Sequence, residues 1–396
     1  MSDPAEITEV GKSGAPSGMV PVLTAAAFLI FAQAFMIAPI LPELAHVFDT
    51  SVGLVGLAVP AYLIPYGIAS LVWGPLADRV DRRSVIITCL VLFAVVTGAT
   101  AAAGGEASFV AARVAAGVVA SGVILVGLAL IGDLVPYERR GHALGWLFGG
   151  MAGGMAVGST VGALGEPVVG WRGLFIITAI FGAVIALLAA ARVPKRVKVP
   201  DPMTSRAVVA VYFSLLRDRR ARRTYGFVGF NAALHSGIYT WLGLYLQRRF
   251  GLGPIGVGLA LLGYGIPGFV FGPAIGRAAD RYGRARLIPA GLLVGAAAAF
   301  ALSSPIPLAA AAGAITVLSL GYDLTQPLLA GIVTDLSEHL GQAVALMAVI
   351  LFSCFGLGSL IFQAALSLGF TAAFTLFGVA AVLAAMLAFP SFSQER

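Results

Sequence analysis

The sequence predicts an all-α integral membrane protein, with twelve transmembrane helices in two pseudo-symmetric six-helix bundles. Three observations carry this. Of its 396 residues, 59% are hydrophobic and 11% charged, too little charge to wet the surface of a soluble domain of this size. Apolar runs of about 20 residues, the length that crosses a bilayer, recur along nearly the whole chain. Finally, residues 55–86 return at 257–288, shifted by 202 residues, with 13 of 32 positions identical. Roughly three would be expected from so biased a composition.

In chain order, residues 1–18 are polar and acidic and lack a basic n-region. They read as a disordered tail before an uncleaved first helix, not as a signal peptide. Breaking the apolar runs at Gly, Pro and charge clusters places spans at 19–41, 52–75, 84–103, 108–134, 141–164 and 172–192. The second series falls at 224–246, 255–276, 286–304, 307–333, 341–364 and 369–389. Backbone groups in hydrocarbon must be paired internally, so spans of this length are helices rather than barrel strands. The expected division is a tail (1–18), a first bundle (19–192), a linker (193–223), a second bundle (224–390) and a short tail (391–396). The linker opens Pro- and Lys-rich, and its apolar run Val208 to Leu216 ends in arginines. That pattern predicts a short amphipathic helix on an anionic leaflet, with membrane lipids as its partner.

An even number of spans puts both termini on one side. Of 25 Lys and Arg, 21 fall on that side, ten of them between Arg192 and Arg223; only Arg113, Arg172, Arg248 and Arg249 do not. The positive-inside rule makes that side cytoplasmic, in the cell membrane. The net charge of +7 therefore belongs to loops and gives no nucleic-acid partner. Cys89 and Cys354 lie inside apolar runs and read as small core residues. The histidines, at 46, 142, 235 and 339, are too scattered for a metal cluster. The one "GKS", Gly11 to Ser13, has Glu6 where a phosphate loop needs its first glycine. No cofactor and no enzymatic reaction are expected.

Charge concentrates in "GPLADRVDRR" (Gly74 to Arg83), with five charged residues in ten, and again in "GRAADRYGRAR" from Gly276. Span 4 carries "RVAAGVVASG", with Arg113 and Gly117, and span 5 sets out Gly145, Gly154, Gly158 and Gly162. With these motifs the chain resembles the major facilitator superfamily over its whole length after the tail. There are departures. Ser159 and Ala163 stand where that family's antiporter motif has a proline and a glycine. Asp81 replaces the glycine that the second loop keeps as Gly283, which predicts a looser first turn with partly neutralised arginines.

The resemblance implies an alternating-access carrier. Asp78 would face the N-terminus of helix 11, and Asp280, by symmetry, that of helix 5, where orphan N–H groups favour negative charge. Arg79 and Arg82 are then placed to pair with Asp133 or Glu138, and Arg281 and Arg284 with Asp335 or Glu338. Such contacts would form a latch bridging the halves. The competing reading is a basic loop that only sets topology. For the span 5 glycines, too, two readings stand: tight packing within one half, or the contact between halves that the resemblance implies.

Three ionisable residues lie far from either span end: Arg113, His235 and Asp323. A charge at bilayer depth costs about 3 kcal/mol unless it meets a cavity or a partner, so these residues are expected to face inward. Asn231, His235 and Tyr239 follow at i, i+4, i+8 and share one face of span 7. Span 10 offers Tyr322, Asp323 and Gln326, and span 1 offers Gln33. One reading is a buried polar network that locks helices together. The other is a proton-titrating pair beside a substrate cavity lined by Gln33, Asn231, Tyr239, Tyr322 and Gln326. In that reading Asp323 ranks first as proton carrier and His235 second. Arg113, always charged, is the fixed counter-charge or binds an anionic substrate group.

The chain is similar to the twelve-helix drug–proton antiporters, which implies a monomeric exporter of small organic solutes driven by protons. An uptake symporter or uniporter for a sugar or organic acid stands as the alternative. A channel or a membrane sensor stands as the alternative of a different class.

Overall fold

The computed structural model describes residues 18–77, 80–194, 205–265, 281–337 and 340–393, with 267, 275 and 278; every regular element among them is helical. Span 1 is α1 (Met19–Phe35), a 3-10 turn (Ala38–Ile40) and α2 (Leu41–Val47); span 2 is α3 (Val52–Gly56) and α4 (Pro60–Ala77). α5 (Arg82–Thr100) and α6 (Glu106–Leu134) are spans 3 and 4, and α7 (Tyr137–Arg192) carries spans 5 and 6. After α8 (Ser205–Arg217), α9 (Arg219–Phe250) is span 7 and α10 (Pro254–Leu261) opens span 8. The remainder are α11 (Arg284–Ser303), α12 (Leu308–Asp323) with α13 (Gln326–Val333), α14 (Leu340–Ala365) and α15 (Phe370–Ser391).

Nine of the described helical stretches are long and apolar enough to cross a membrane, and one of them, His142–Arg192, is 51 residues long, enough for two crossings. The loop expected between spans 5 and 6 is instead a kink. Only Gly170 leaves helical geometry, at φ 70°, ψ 164°, a conformation that glycine adopts without steric cost.

Among the described residues, spans 1, 2 and 10 each break beside a proline. Pro39 has no N–H for the Phe35 carbonyl, and Pro327 none for that of Asp323, four residues back in each case. In span 2 a turn over residues 57–59 separates the two helices just before Pro60, a residue that disfavours helical geometry in the one preceding it. Breaks at membrane depth persist only where other groups satisfy the freed carbonyls. At the span 10 break the Thr325 hydroxyl shares its one proton between Gly321 O at 2.9 Å and Tyr322 O at 3.0 Å, in the last turn of α12.

The glycines of span 5 pack within the first half, against span 1. A Cβ on Gly154 would lie 2.3 Å from Phe28 O, one on Gly158 2.4 Å from Ala32 O, and one on Gly162 2.1 Å from Met36 O. The reading that put this stripe between the halves is therefore corrected. Its membership changes as well: Gly145 has open space around it, and Gly150 faces Thr24 O instead. Both helices advance in steps of four, the repeat that keeps one face in contact.

Two other seams join the halves. Along spans 2 and 11, Gln363 Nε2 donates to Gly53 O at 3.0 Å, Gly356 meets Ile64 and Pro60, and Gly67 meets Val349 and Ser353. Along spans 5 and 8, Ala163 packs on Gly258 and Ala156 on Gly265. Both run antiparallel in steps of seven, two helical turns at a time.

Candidate functional site

In the first half the site is built around Arg113, which is fully buried. Four residues on, Gly117 lets span 4 approach span 2 so closely that a Cβ there would lie 2.2 Å from Tyr62 O. That approach sets the guanidinium 4.2 Å over the Tyr62 ring, a cation–π contact that is strongest when desolvated. Arg113 Nη1 donates to Gln33 Oε1 at 2.8 Å and Gln33 O at 3.4 Å; Nη2 reaches Ala34 O at 3.2 Å and Nε reaches Ala58 O at 3.3 Å. Each of these acceptors is neutral and belongs to span 1 or span 2. Arg113 is thus not brought against Asp323, and its place as counter-charge to that carboxylate is corrected. The carbonyls freed by the breaks in spans 1 and 2 already engage it.

In the second half, Asn231 Nδ2 donates to Gln326 Oε1 at 3.0 Å, joining spans 7 and 10. The remaining polar atoms of that pair, Asn231 Oδ1 and Gln326 Nε2, are buried without a protein partner, as is Gln33 Nε2 across from them in span 1. Asp323 ends α12 at the break, partly buried, and accepts from Ser319 Oγ at 3.3 Å. Its electrostatic neighbour from span 8 is Tyr264. His235 turns elsewhere. Its ring meets Tyr322 edge-on at 5.2 Å, its Nε2 points towards Gly295 of span 9, and neither nitrogen has a protein partner. The structure therefore shares Tyr322 between His235 and Asp323 but records no contact that makes them a pair.

Tyr239 crosses the gap, its hydroxyl hydrogen-bonded to that of Ser159 in span 5. Ser159 and Ala163, the two departures from the antiporter motif, are thus, with Ala156, among the residues by which span 5 touches the other half.

Around these groups runs an aromatic lining of which the sequence singled out Tyr239 but not Phe31, Phe35, Tyr66, Tyr264, Phe352 or Phe355. Phe31 and Tyr66 meet Phe352 at 5.7 and 4.4 Å, Phe35 meets Tyr239 and Phe355 at 5.8 and 6.5 Å, and Tyr264 meets Tyr239 at 4.4 Å. A slot bounded by Ile30, Phe31, Ala34, Tyr62, Leu63, Tyr66 and Phe352 lies beside Arg113. The i, i+4 aromatic pairs Phe31/Phe35 and Tyr62/Tyr66 were the available signal. In so apolar a chain, aromatic residues give little contrast.

The charged loops resolve in part. Arg82 forms an ion pair with Asp133, and Arg284 with Asp335 at 3.3 Å. Both pairs join neighbouring helices within one half, so as bridges between the halves they are corrected. Asp81 accepts from Ser84 N at 3.1 Å and Ser84 Oγ at 2.9 Å, capping α5. Arg281 lies 5.3 Å from the Tyr282 ring centroid. Gly74 falls within α4. Asp78, Arg79, Gly276, Asp280, Glu338 and the side chain of Glu138 lie outside the described residues. Among the described residues no cluster of metal-ligating side chains occurs.

A family model described as Major Facilitator Superfamily matches residues 23–359 and 246–396. The chain belongs to this superfamily. An uncharacterised MFS-type transporter of Bacillus subtilis strain 168, YwfA, is 27% identical over 330 residues, covering 81% of this chain and 79% of the relative. A chloramphenicol resistance protein of Streptomyces lividans is 26% identical, covering 66% and 67%. Among solved structures, a D-xylose–proton symporter superposes with TM-score 0.78 at 19% identity, covering 94% of this chain and 97% of its own. A bacterial homologue of the human lysosomal transporter Spinster, inward-facing and unoccupied, gives TM-score 0.74 at 18% identity, covering 96% and 98%. The fold is that of a major facilitator, two pseudo-symmetric bundles of six spans, and the protein is a multi-pass membrane transporter rather than an enzyme.

Proposed function

We propose that this transporter exports small organic, amphipathic solutes by proton antiport, its two bundles (19–192 and 224–390) rocking about a central cavity. It sits in the cell membrane as a monomer with both termini in the cytoplasm, and the 193–223 segment rests on anionic lipid. The observation that carries the reading is Asp323, a partly buried carboxyl at a break in a membrane-spanning helix, next to Tyr322, whose ring is one of the aromatic group formed with His235 and Phe355. A titratable group there is open to protonation from whichever side the cavity faces, and broken helices at the midplane mark transporter binding sites. The aromatic lining, with orphan amide atoms on Gln33, Asn231 and Gln326, suits a solute with an apolar body and a few polar groups. The relative named for chloramphenicol resistance supports efflux of a drug-like solute.

The test is transport in proteoliposomes with an imposed pH gradient. Asp323→Asn should abolish uphill, pH-driven transport, by tenfold or more, while solute exchange in the absence of a gradient persists. Uphill transport at the native rate in the variant would refute the assignment of the proton carrier. Uptake in the direction of proton flow in the native protein would replace antiport by symport.

A further inference from the structure

Arg113 holds more than a place in the cavity wall. Its three backbone acceptors are carbonyls that helix geometry has released. In span 1 the α-helix ends at Phe35, and the N–H of Met36 still bonds Ala32 O, but no backbone N–H bonds Gln33 O or Ala34 O. In span 2 the N–H of Tyr62, which would bond Ala58 O in a continuous helix, goes to Val59 O at 3.2 Å. Left bare in an apolar interior, each carbonyl would cost about 1–3 kcal/mol. One guanidinium satisfies all three.

Beyond those two breaks, towards the face away from the termini, the same chain segments form the seal between the halves. Ala38 and Pro39, just past the first break, pack on Gly243 of span 7. Gly56, just before the second, lies under Trp241, whose ring would meet a Cβ there at 2.6 Å. Gly53 O accepts from Gln363, and Trp241 Nε1 donates to Ser359 O at 3.1 Å. The geometry points to Arg113 as a positioning residue for this seal. Its planar fork clamps the proline breaks of spans 1 and 2 to span 4, and the seal parts only when the clamp yields. This inference rests on the alternating-access reading but not on proton coupling, since it concerns accessibility and not transport.

The clamp requires a fork that reaches carbonyls on two helices, which a lysine, one point charge with the same sign, cannot supply. The reporter is Ser359→Cys, behind Trp241, in the full chain carrying Cys354→Ala, reconstituted in liposomes and labelled with an impermeant maleimide. Cys89, fully buried in the first half, stays in place as an internal control. With Arg113→Lys, labelling at 359 should accelerate tenfold or more while Cys89 stays unreactive. Native-rate labelling at 359 would show that charge alone suffices and would overturn the proposal. Equal acceleration at both cysteines would overturn it too, by making Arg113 a support of the whole fold. If Arg113→Lys yields no folded protein, Gln33→Ala decides. It removes only the amide that orients the fork, so labelling at 359 should rise about threefold, and an unchanged rate would sink the clamp.

Discussion

Spans 4 and 10 start from N-caps 202 residues apart, Gly105 and Pro307, and run to Asp133 and Asp335, also 202 apart, yet only span 4 is one unbroken helix. Pro327 occupies the position of Leu125, and its missing N–H divides span 10 just after Asp323. Position by position the duplicated helices have parted. Gly117 corresponds to Ser319, Ser121 to Asp323, and Arg113 to Ile315. At the ends, Arg82 of the first ion pair is buried, whereas Arg284 and Asp335 are 31% and 55% exposed. The first half holds its deep arginine on backbone carbonyls of two broken helices. The second places a partly buried carboxyl at a break in its own helix. Between these two helices a single proline accounts for much of the difference.

Exchanging features between the two helices tests this. The largest effect should come from breaking the rigid one: Leu125→Pro should cost about 3 kcal/mol or more and abolish folded protein. The reciprocal Pro327→Ala should leave thermal stability in detergent unchanged or slightly raised. It should also slow transport severalfold, because the helix loses its bend beside Asp323. Faster transport by Pro327→Ala would end the argument that the break is functional.

A smaller contrast is expected at the ion pairs. Asp133→Asn removes one counter-charge from the buried Arg82 guanidinium and should cost about 2 kcal/mol. Asp335→Asn, at the exposed pair, should cost no more than about 0.5 kcal/mol in the same melts. Equal losses would mean that burial does not separate the two loops.

A contrast of similar size lies mid-helix. Gly117→Ala drives a Cβ into the Tyr62 backbone, which cannot move aside as a side chain would, and should cost about 1–3 kcal/mol. Its counterpart Ser319→Ala deletes one partly buried hydroxyl and should change stability by about 0.5 kcal/mol at most. Purified variants followed by thermal unfolding would measure both.

Much of this architecture is legible in the chain alone. Twelve apolar runs, the 202-residue repeat and the distribution of arginines are one-dimensional properties, because the bilayer fixes span length and every hydrocarbon-embedded backbone must be helical. The rarity of charge at depth also singles out Arg113, His235 and Asp323, since a cost of about 3 kcal/mol filters out such residues elsewhere.

What these residues touch was decided in three dimensions. Sequence offered Arg113 and Asp323 as opposite charges, but the carbonyls released at two distant proline breaks lie nearer to the guanidinium and satisfy it. Periodicity aligned His235 with Asn231 and Tyr239, yet helix rotation turned its ring towards Gly295. Glycine spacing announced a close contact without naming the partner. Only the packing shows it to be Phe28, Ala32 and Met36, while Ser159 and Ala163 face the other half. Periodicity assigns residues to a face of a helix; which neighbour that face meets depends on how all the helices pack, because a hydrogen bond is settled over about 3 Å.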